Sequence, residues 1–132
     1  MLINVSYNKP AIDRSIDVAL GNSFSFLERL KRRGIGSPKL WIHSASSDIE
    51  RLLGQDSYNN TCNIELRPEG MILRFRSLLE TYALVLPFRT SQIQLNREGL
   101  YELRTAEHFI RILSSKENTR RYFNRMFREL DI

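Results

Sequence analysis

The residues of this chain best suited to catalysis are a histidine, a cysteine and a few hydroxyl side chains. His43 stands next to Ser44 and near Ser46, and Cys62 is the one cysteine. A nucleophile needs an adjacent base, and the base needs a third group that orients it. The spacing of these residues supplies no such set, and Cys62 fits a small strand residue. We therefore predict no catalytic residues, and an enzyme with an unrecognised site is our third alternative.

Metal and nucleotide chemistry are also not indicated. Neither His43 nor His108 has a Cys, Asp or Glu at metal-ligand spacing within its own element. His108 alternates with Ile110 and Ile112, so we expect a partly buried side chain whose hydrogen bonds are satisfied. The glycine-containing loop 34–38 lacks the Lys-Ser/Thr ending of a phosphate loop and the third glycine of a dinucleotide fingerprint. The sequence predicts no metal ligand and no cofactor.

Arginine is the residue type that points to binding. The chain carries a net charge of +5, and only four of its twenty cationic residues are lysine. A guanidinium group binds phosphate or carboxylate in a bidentate way, which an ammonium group does not. Genomic base composition also enriches arginine, so this bias is compatible with an acidic partner without requiring one.

The segment 71–95 places three arginines, Arg74, Arg76 and Arg89, among apolar residues. If residues 77–80 form a turn, antiparallel pairing separates the segment into two faces. The inner face would carry Met71, Leu73, Phe75, Tyr82, Leu84 and Leu86, and the outer face Ile72, Arg74, Arg76, Thr81, Ala83 and Val85. The outer face is only partly polar, so either another element covers its aliphatic residues or a partner does. The next strand should turn Ile93 and Leu95 inward.

Three further arginines lie near the end of the chain, where residues 119–130 have an apolar stripe with helical spacing. Arg121, Arg125 and Arg128 share one face of that helix, at positions i, i+4 and i+7, largely opposite the aromatic residues. This face is either a solvated surface above the core stripe or a basic strip for phosphate groups.

The remaining pattern predicts one α+β domain over residues 1–132. An N-terminal extension, 1–38, should hold a strand over 2–7 and a helix over 24–33. The middle part, 39–113, should hold a strand over 39–43, a helix over 48–53, a polar loop over 55–61 and an antiparallel meander of about five strands. The last part, 114–132, should form an amphipathic helix that begins with a capping box and packs on the open end of a curled sheet.

No apolar run approaches the roughly 20 residues that a membrane-spanning helix needs, and the opening lacks the features of a signal peptide. One cysteine cannot form an internal disulfide, which agrees with a reducing compartment. We therefore expect a cytoplasmic protein.

The segment IELRPEGMILRFRSLLETYALVLPFRTSQIQL and the C-terminal helix together resemble bacterial pleckstrin-homology-like (PH-like) domains over residues 39–130. The matching features are the glycine turn at Glu69-Gly70, the step at Pro87-Phe88 and the alternating strand at 93–95. The resemblance implies a partly open antiparallel barrel capped by the helix, and a non-catalytic binding module. The strand and helix within 1–38 depart from the pattern. The 77–80 connection carries no cation, so specific phosphoinositide binding is not expected.

The sequence therefore predicts a non-catalytic module for protein–protein interaction or self-association. The alternative is a nucleic-acid-binding module that contacts phosphates through an arginine-rich surface. The candidate binding residues for either function are Arg74, Arg76, Arg89, Arg121, Arg125 and Arg128.

Overall fold

The computed structural model describes residues 1–7, 9–25, 28, 35–54 and 60–130. Within them the chain forms β1 (Leu2–Asn4), α1 (Pro10–Leu20), β2 (Leu40–Ala45), α2 (Ser47–Gly54), β3 (Thr61–Arg67), β4 (Gly70–Ser77), β5 (Glu80–Pro87), β6 (Gln92–Leu95), β7 (Tyr101–Arg104), β8 (Phe109–Ile112) and α3 (Glu117–Leu130). The α+β class is confirmed. Most of the helix predicted over 24–33 and most of the loop predicted over 55–61 lie outside the described residues.

All strands belong to one antiparallel sheet with the order β1-β5-β4-β3-β2-β8-β7-β6. The predicted antiparallel sheet is therefore confirmed, although the meander after residue 60 has six strands instead of about five. Strand β2 lies inside the sheet and pairs with β3 on one side and with β8 on the other. Leu40 and Trp41 pair with β3, whereas Ile42 and the residues up to Ala45 pair with β8 across a shift in register.

Because β2 changes partner along its length, it divides the sheet into two parts. We call β1, β5, β4, β3 and the start of β2 the first half-sheet, and the end of β2 with β8, β7 and β6 the second half-sheet. Buried apolar side chains from both halves form one core, together with residues of α2 and α3. Examples are Leu40, Met71, Leu84, Leu103 and Ile112, each of which is 0% exposed.

The hairpin of β4 and β5 has the predicted register. Met71 pairs with Leu86 and Phe75 with Tyr82, and the two strands are joined across residues 78–79. Leu78 has a φ of 57°, in the left-handed region that a tight two-residue turn requires. The predicted inner face lies in the main core, with Tyr82 at its border. Alternation along two strands was enough to predict this arrangement.

Helix α3 packs its apolar stripe against the core. Phe123 is 0% exposed, and its ring stacks on that of Tyr101 with 4.0 Å between the ring centroids. The predicted capping box at the start of this helix differs from expectation. The helix begins at Glu117, and the Ser114 hydroxyl donates a hydrogen bond to the carbonyl oxygen of Gly99. The hydroxyl joins the helix approach to the turn between β6 and β7.

The N-terminal segment differs from the prediction. Strand β1 is shorter, ending at Asn4, and the following helix α1 begins at Pro10, whose missing N–H group is harmless in a first helical turn. Helix α1 covers the outer face of β4 and β5: Ile16 and Leu20 form a second apolar cluster with Ile72, Ala83 and Val85, all three of which are fully buried. The aliphatic residues of the outer face are thus covered by the chain itself.

Glycine at position 70 is required for this close packing. A Cβ atom there would lie 2.5 Å from the carbonyl oxygen of Leu86 and would also collide with the side chain of Leu20. The turn glycine therefore lets α1 end directly against the sheet.

None of the described helices combines the length and the hydrophobicity that crossing a bilayer would require.

Candidate binding surfaces

Arg74 is part of an ion-pair network on the outer face of the first half-sheet. Its Nη1 donates to a carboxylate oxygen of Glu65 over 2.9 Å, and Arg67 donates to the other oxygen over 2.6 Å. Arg67 also donates from Nη1 to Asp17 and to the carbonyl oxygen of Gly21, both over 3.0 Å. The network therefore ties α1 to β3, and Arg74 stabilises it from the next strand.

Burial by itself raises the pKa of Glu65, but the hydrogen bonds and the positive charges of Arg67 and Arg74 outweigh it and lower that pKa below its ordinary value. The carboxylate is therefore already neutralised by two internal cations, and Arg74 has a structural role as well as an exposed position.

Beyond the reach of α1, the same outer face forms an open groove of about 400 Å³. We call it the sheet groove, and its polar lining consists of Ser37, Lys39, Thr61, Asn63, Arg74, Arg76 and Thr81. Arg76 is exposed, and within the part of the chain that the structure describes, neither Arg76 nor Lys39 forms an ion pair. Cys62 lies beneath the groove, where burial raises the pKa of its thiol, as expected for a structural residue.

Trp41 borders the sheet groove and was not among the predicted site residues. Its side chain is 37% exposed, while its neighbours Leu40 and Ile42 point into the core. The Nζ atoms of Lys39 and Lys116 lie 5.8 and 5.4 Å from its ring centroid. The alternation of Lys39 and Trp41 on a strand would have placed both on one face, but the approach of Lys116, which immediately precedes α3, depends on the tertiary fold.

The outer face of the second half-sheet also centres on a glutamate. Glu102 accepts hydrogen bonds from Arg111 over 2.8 Å, from Gln94 over 3.2 Å and from Arg104 over 3.4 Å. The two guanidinium groups also lie 4.4 and 4.7 Å from the ring centroid of Phe109. The hydrogen bond from Arg111, more than any other interaction, lowers the pKa of Glu102 despite the opposing effect of burial.

On α3, the predicted basic strip is divided between two flanks. Arg121 and Arg128 line a shallow depression together with Arg120, Asn124 and Phe127, which we call the helix surface. Arg125 instead lies beside Ile35 and Leu66 on the other flank, 3.5 Å from the carboxylate of Glu129. Arg121 forms an exposed ion pair with Glu117 at 3.0 Å.

Strand β6 is an edge of the sheet, and Tyr101 on the neighbouring strand β7 links it to Phe127 of the helix surface. Asn96 donates its backbone N–H to the carbonyl oxygen of Leu100, so the alternating antiparallel pattern turns the N–H and C=O groups of Ile93 and Leu95 away from β7. Within the described residues no donor or acceptor meets these groups. Leu95 pairs with Tyr101, whose ring centroid lies 6.1 Å from that of Phe127.

The inward direction predicted for Leu95 does not lead to burial. Ile93 is buried, but Leu95 is 54% exposed. Leu95 is the last residue of an edge strand, so no further strand lies beside it to help cover its side chain. Arg89 lies exposed in the turn after β5 and belongs to neither the sheet groove nor the helix surface.

The two histidines differ in burial: His108 is buried and His43 is exposed. His108 is 8% exposed, and its Nδ1 finds no hydrogen-bond partner among the residues that the structure describes, which differs from the expected satisfied side chain. Its backbone is bonded in the turn, since its N–H donates to the Thr105 hydroxyl over 3.0 Å. His43 is exposed, with Nδ1 3.1 Å from the Ser44 hydroxyl. No group of three or more His, Cys, Asp or Glu side chains among the described residues could hold a metal ion.

Comparisons of the chain with protein-family models, with curated proteins and with solved structures found no match.

Proposed function

We propose that this protein is a non-catalytic interaction module that binds an extended, acidic segment of a protein partner along β6. The observation that carries the proposal is the open edge of β6, where the backbone groups of Ile93 and Leu95 point outward beside an arginine-lined surface.

Open strand edges attract other chains because their backbone N–H and C=O groups, otherwise bonded to water, are arranged to pair with a further strand. Proteins usually protect such an edge with lysine, proline or a bulge. The sequence of β6, Gln92–Leu95, contains neither lysine nor proline and pairs with β7 in an unbroken register. An extended segment that adds to β6 would complete the ladder and cover the exposed side chain of Leu95.

The neighbouring charges favour an acidic segment. Arg120, Arg121 and Arg128 line the helix surface, which borders β6 through Tyr101 and Phe127, and the one carboxylate in its lining is that of Glu117. Carboxylates along one side of the added strand would form charge-assisted hydrogen bonds with the arginines. Backbone bonds would then supply affinity, and the arginines the preference for acidic sequences.

The topology supports a PH-like identity for the region from β2 onward, which belongs to the same proposal. Strands β2 to β5 lie together in the first half-sheet and β6 to β8 in the second, β2 takes part in both, and the last helix packs against the core. Strand β1 and helix α1 are additions to that pattern. They occupy an outer face and leave the edge of β6 open.

The proposal is tested with two substitutions at one position. Leu95→Pro removes an N–H group that takes no part in pairing with β7, whereas Leu95→Ala keeps the N–H and removes only side-chain contact. We expect a labelled eight-residue peptide of alternating Glu and Thr to bind the wild type, to bind Leu95→Ala a few-fold more weakly, and not to bind Leu95→Pro. Fluorescence anisotropy measures the binding.

Thermal melting of both variants checks that they fold. The proposal fails if the folded Leu95→Pro variant binds the peptide as well as Leu95→Ala does. It also fails if the Ile93 and Leu95 amides gain no protection from hydrogen exchange when the peptide is added. Self-association through β6 would appear as a dimer in solution that Leu95→Pro converts to a monomer.

A further inference from the structure

A row of outward side chains crosses four strands at the sheet groove: Thr61, Arg76 and Thr81 line the groove, and Trp41 stands beside it. Trp41 on β2 pairs with Thr61 on β3, and the register of β3 with β4 brings Thr61 opposite Arg76, which pairs with Thr81 on β5. Opposite residues of neighbouring strands share a face of the sheet. An aromatic ring, two hydroxyl groups and a guanidinium group therefore lie side by side on one surface.

The spacing of this row fits a nucleotide chain. Neighbouring strands lie about 4.8 Å apart, so the backbone positions of Trp41 and Arg76, two strands apart, are separated by roughly 10 Å. That span is comparable to the reach from one base of an unstacked nucleic-acid strand to a phosphate one or two nucleotides away. A base on the indole ring of Trp41 would bring a phosphate to the guanidinium group of Arg76.

The surface around Trp41 and Arg76 is positively charged, and its cations can contact an anionic ligand. The Nζ atoms of Lys39 and Lys116 lie over the Trp41 ring, 5.8 and 5.4 Å from its centroid, so a stacking base would displace these flexible side chains from the ring towards its own phosphates. Glu65, the carboxylate that contacts Arg74, already accepts hydrogen bonds from two arginines and offers the groove no free negative charge. Arg76 and Lys39 have no carboxylate partner within the described residues.

We propose that the sheet groove binds single-stranded nucleic acid. Trp41 stacks on a base, Arg76 and the two lysines contact phosphates, and Asn63 and the threonines supply adaptable hydrogen bonds without reading a particular sequence. This combination of an aromatic platform and a positively charged groove is what sequence-tolerant single-strand binding requires. The site is separate from β6, so it is a second activity and does not depend on the proposed function.

A protein partner fits the sheet groove less well. Protein interfaces usually need a buried apolar anchor, and the aliphatic residues of this face, Ile72, Ala83 and Val85, are already buried under α1. Double-stranded nucleic acid would keep its bases stacked on one another and unavailable to Trp41.

The experiment uses the fluorescence of Trp41, the one tryptophan of the chain, as a built-in reporter. An unlabelled octamer of deoxythymidine is titrated into the wild-type protein at low salt. We expect saturable quenching of Trp41, with an affinity that falls as salt rises. A duplex hairpin and an octamer of glutamate serve as matched anionic probes, and both should quench weakly.

Variants then assign the contacts, using anisotropy of a labelled thymidine octamer. Arg76→Ala should weaken binding and reduce the slope of log K against log salt by about 0.7, the value for one phosphate contact of a single strand. Trp41→Leu should weaken binding by roughly tenfold or more, the loss expected for one stacked base. Arg89→Ala removes the same charge from an exposed turn outside the groove and should leave binding unchanged.

The proposal is overturned by an absence of quenching at low salt, by equal quenching with the duplex or with glutamate octamer, or by equal behaviour of Arg76→Ala and Arg89→Ala. Glutamate octamer binding as tightly as thymidine octamer would assign the groove to an acidic protein. Leu95→Pro should bind the thymidine octamer normally, which separates this result from the test of the β6 edge.

Discussion

The outer faces of the two half-sheets both carry a glutamate paired with arginines, but the two ion-pair networks differ in what else they contact. Each carries a partly or fully buried glutamate held by two arginines: Glu65 by Arg67 and Arg74, and Glu102 by Arg104 and Arg111. The network of the second half-sheet is complete in itself, since its two guanidinium groups are also stacked on one phenyl ring. The network of the first half-sheet also includes an ion pair between Arg67 and Asp17 of helix α1.

The reason lies in the other outward residues. The outer face of the first half-sheet contains the apolar side chains of Ile72, Ala83 and Val85. Covering them with a helix removes apolar surface from water and so stabilises the fold. Helix α1 supplies that cover and is anchored by the bond from Arg67 to Asp17. Because α1 covers only part of the face, Arg76 and the sheet groove remain open. The comparison shows that arginine content by itself does not mark a binding surface, since four of these arginines are bound to internal carboxylates.

The largest effect should come from breaking the contact between α1 and the first half-sheet. Leu20 is 0% exposed and packs at the end of α1, so Leu20→Ala should lower the free energy of unfolding by about 2–5 kcal/mol. Val18 in the same helix is 85% exposed, and Val18→Ala should change stability by less than about 0.5 kcal/mol. Urea unfolding measures both. Equal midpoints for the two variants would mean that α1 does not pack on the sheet in solution.

An intermediate effect is expected from the glutamate of the second half-sheet. Glu102→Gln leaves Arg111 with a neutral acceptor and Arg104 with a weaker partner, and should lower stability by about 2 kcal/mol at neutral pH. The pKa of Glu102 is lowered by folding, so its contribution is present above the unfolded value of 4.5 and is lost as pH falls through the folded value.

The wild-type protein should therefore lose stability below about pH 4.5 more steeply than Glu102→Gln does. Urea midpoints recorded from pH 7 down to pH 3 measure this difference. Glu98→Gln, at an exposed carboxylate in the β6–β7 turn, is the matched control and should follow the wild type. Parallel acid profiles for wild type and Glu102→Gln would show that the network contributes nothing on acidification.

The smallest effect is the difference in stability loss between Arg74→Ala and Arg76→Ala, two substitutions on strand β4. Arg74 is bonded to Glu65 and is 34% exposed, so Arg74→Ala should cost about 1 kcal/mol or less. Arg76→Ala should leave stability within about 0.5 kcal/mol of the wild type, because this side chain is exposed and has no ion pair among the described residues. Thermal melts of the two variants provide the measurement. A larger loss for Arg76→Ala would reverse the assignment of Arg74 as the structural arginine and Arg76 as the free one.

Part of the candidate sites could be predicted from sequence. Alternation placed Arg74 and Arg76 on the outer face of the hairpin. Helical spacing predicted one shared face for Arg121, Arg125 and Arg128, whereas the structure divides them between two flanks of α3. The pairing of Arg74 with Glu65 could not be predicted, because it depends on the register of β3 with β4. The same holds for Trp41, whose partner Lys116 lies 75 positions further along the chain and approaches only when α3 packs on the core.

What the sequence determined by itself is therefore local: the α+β class, the register of β4 with β5 and the apolar stripe of α3. These follow from periods of 2 and 3.6 residues and from a short turn, which need no knowledge of distant contacts. The tertiary structure decided which element covers Ile72, Ala83 and Val85, which strands became the edges of the sheet, and which arginines have no ion pair among the described residues. Those outcomes depend on contacts between residues far apart in the chain, where the apolar area buried by α1 and the strand order of the sheet outweigh any local preference.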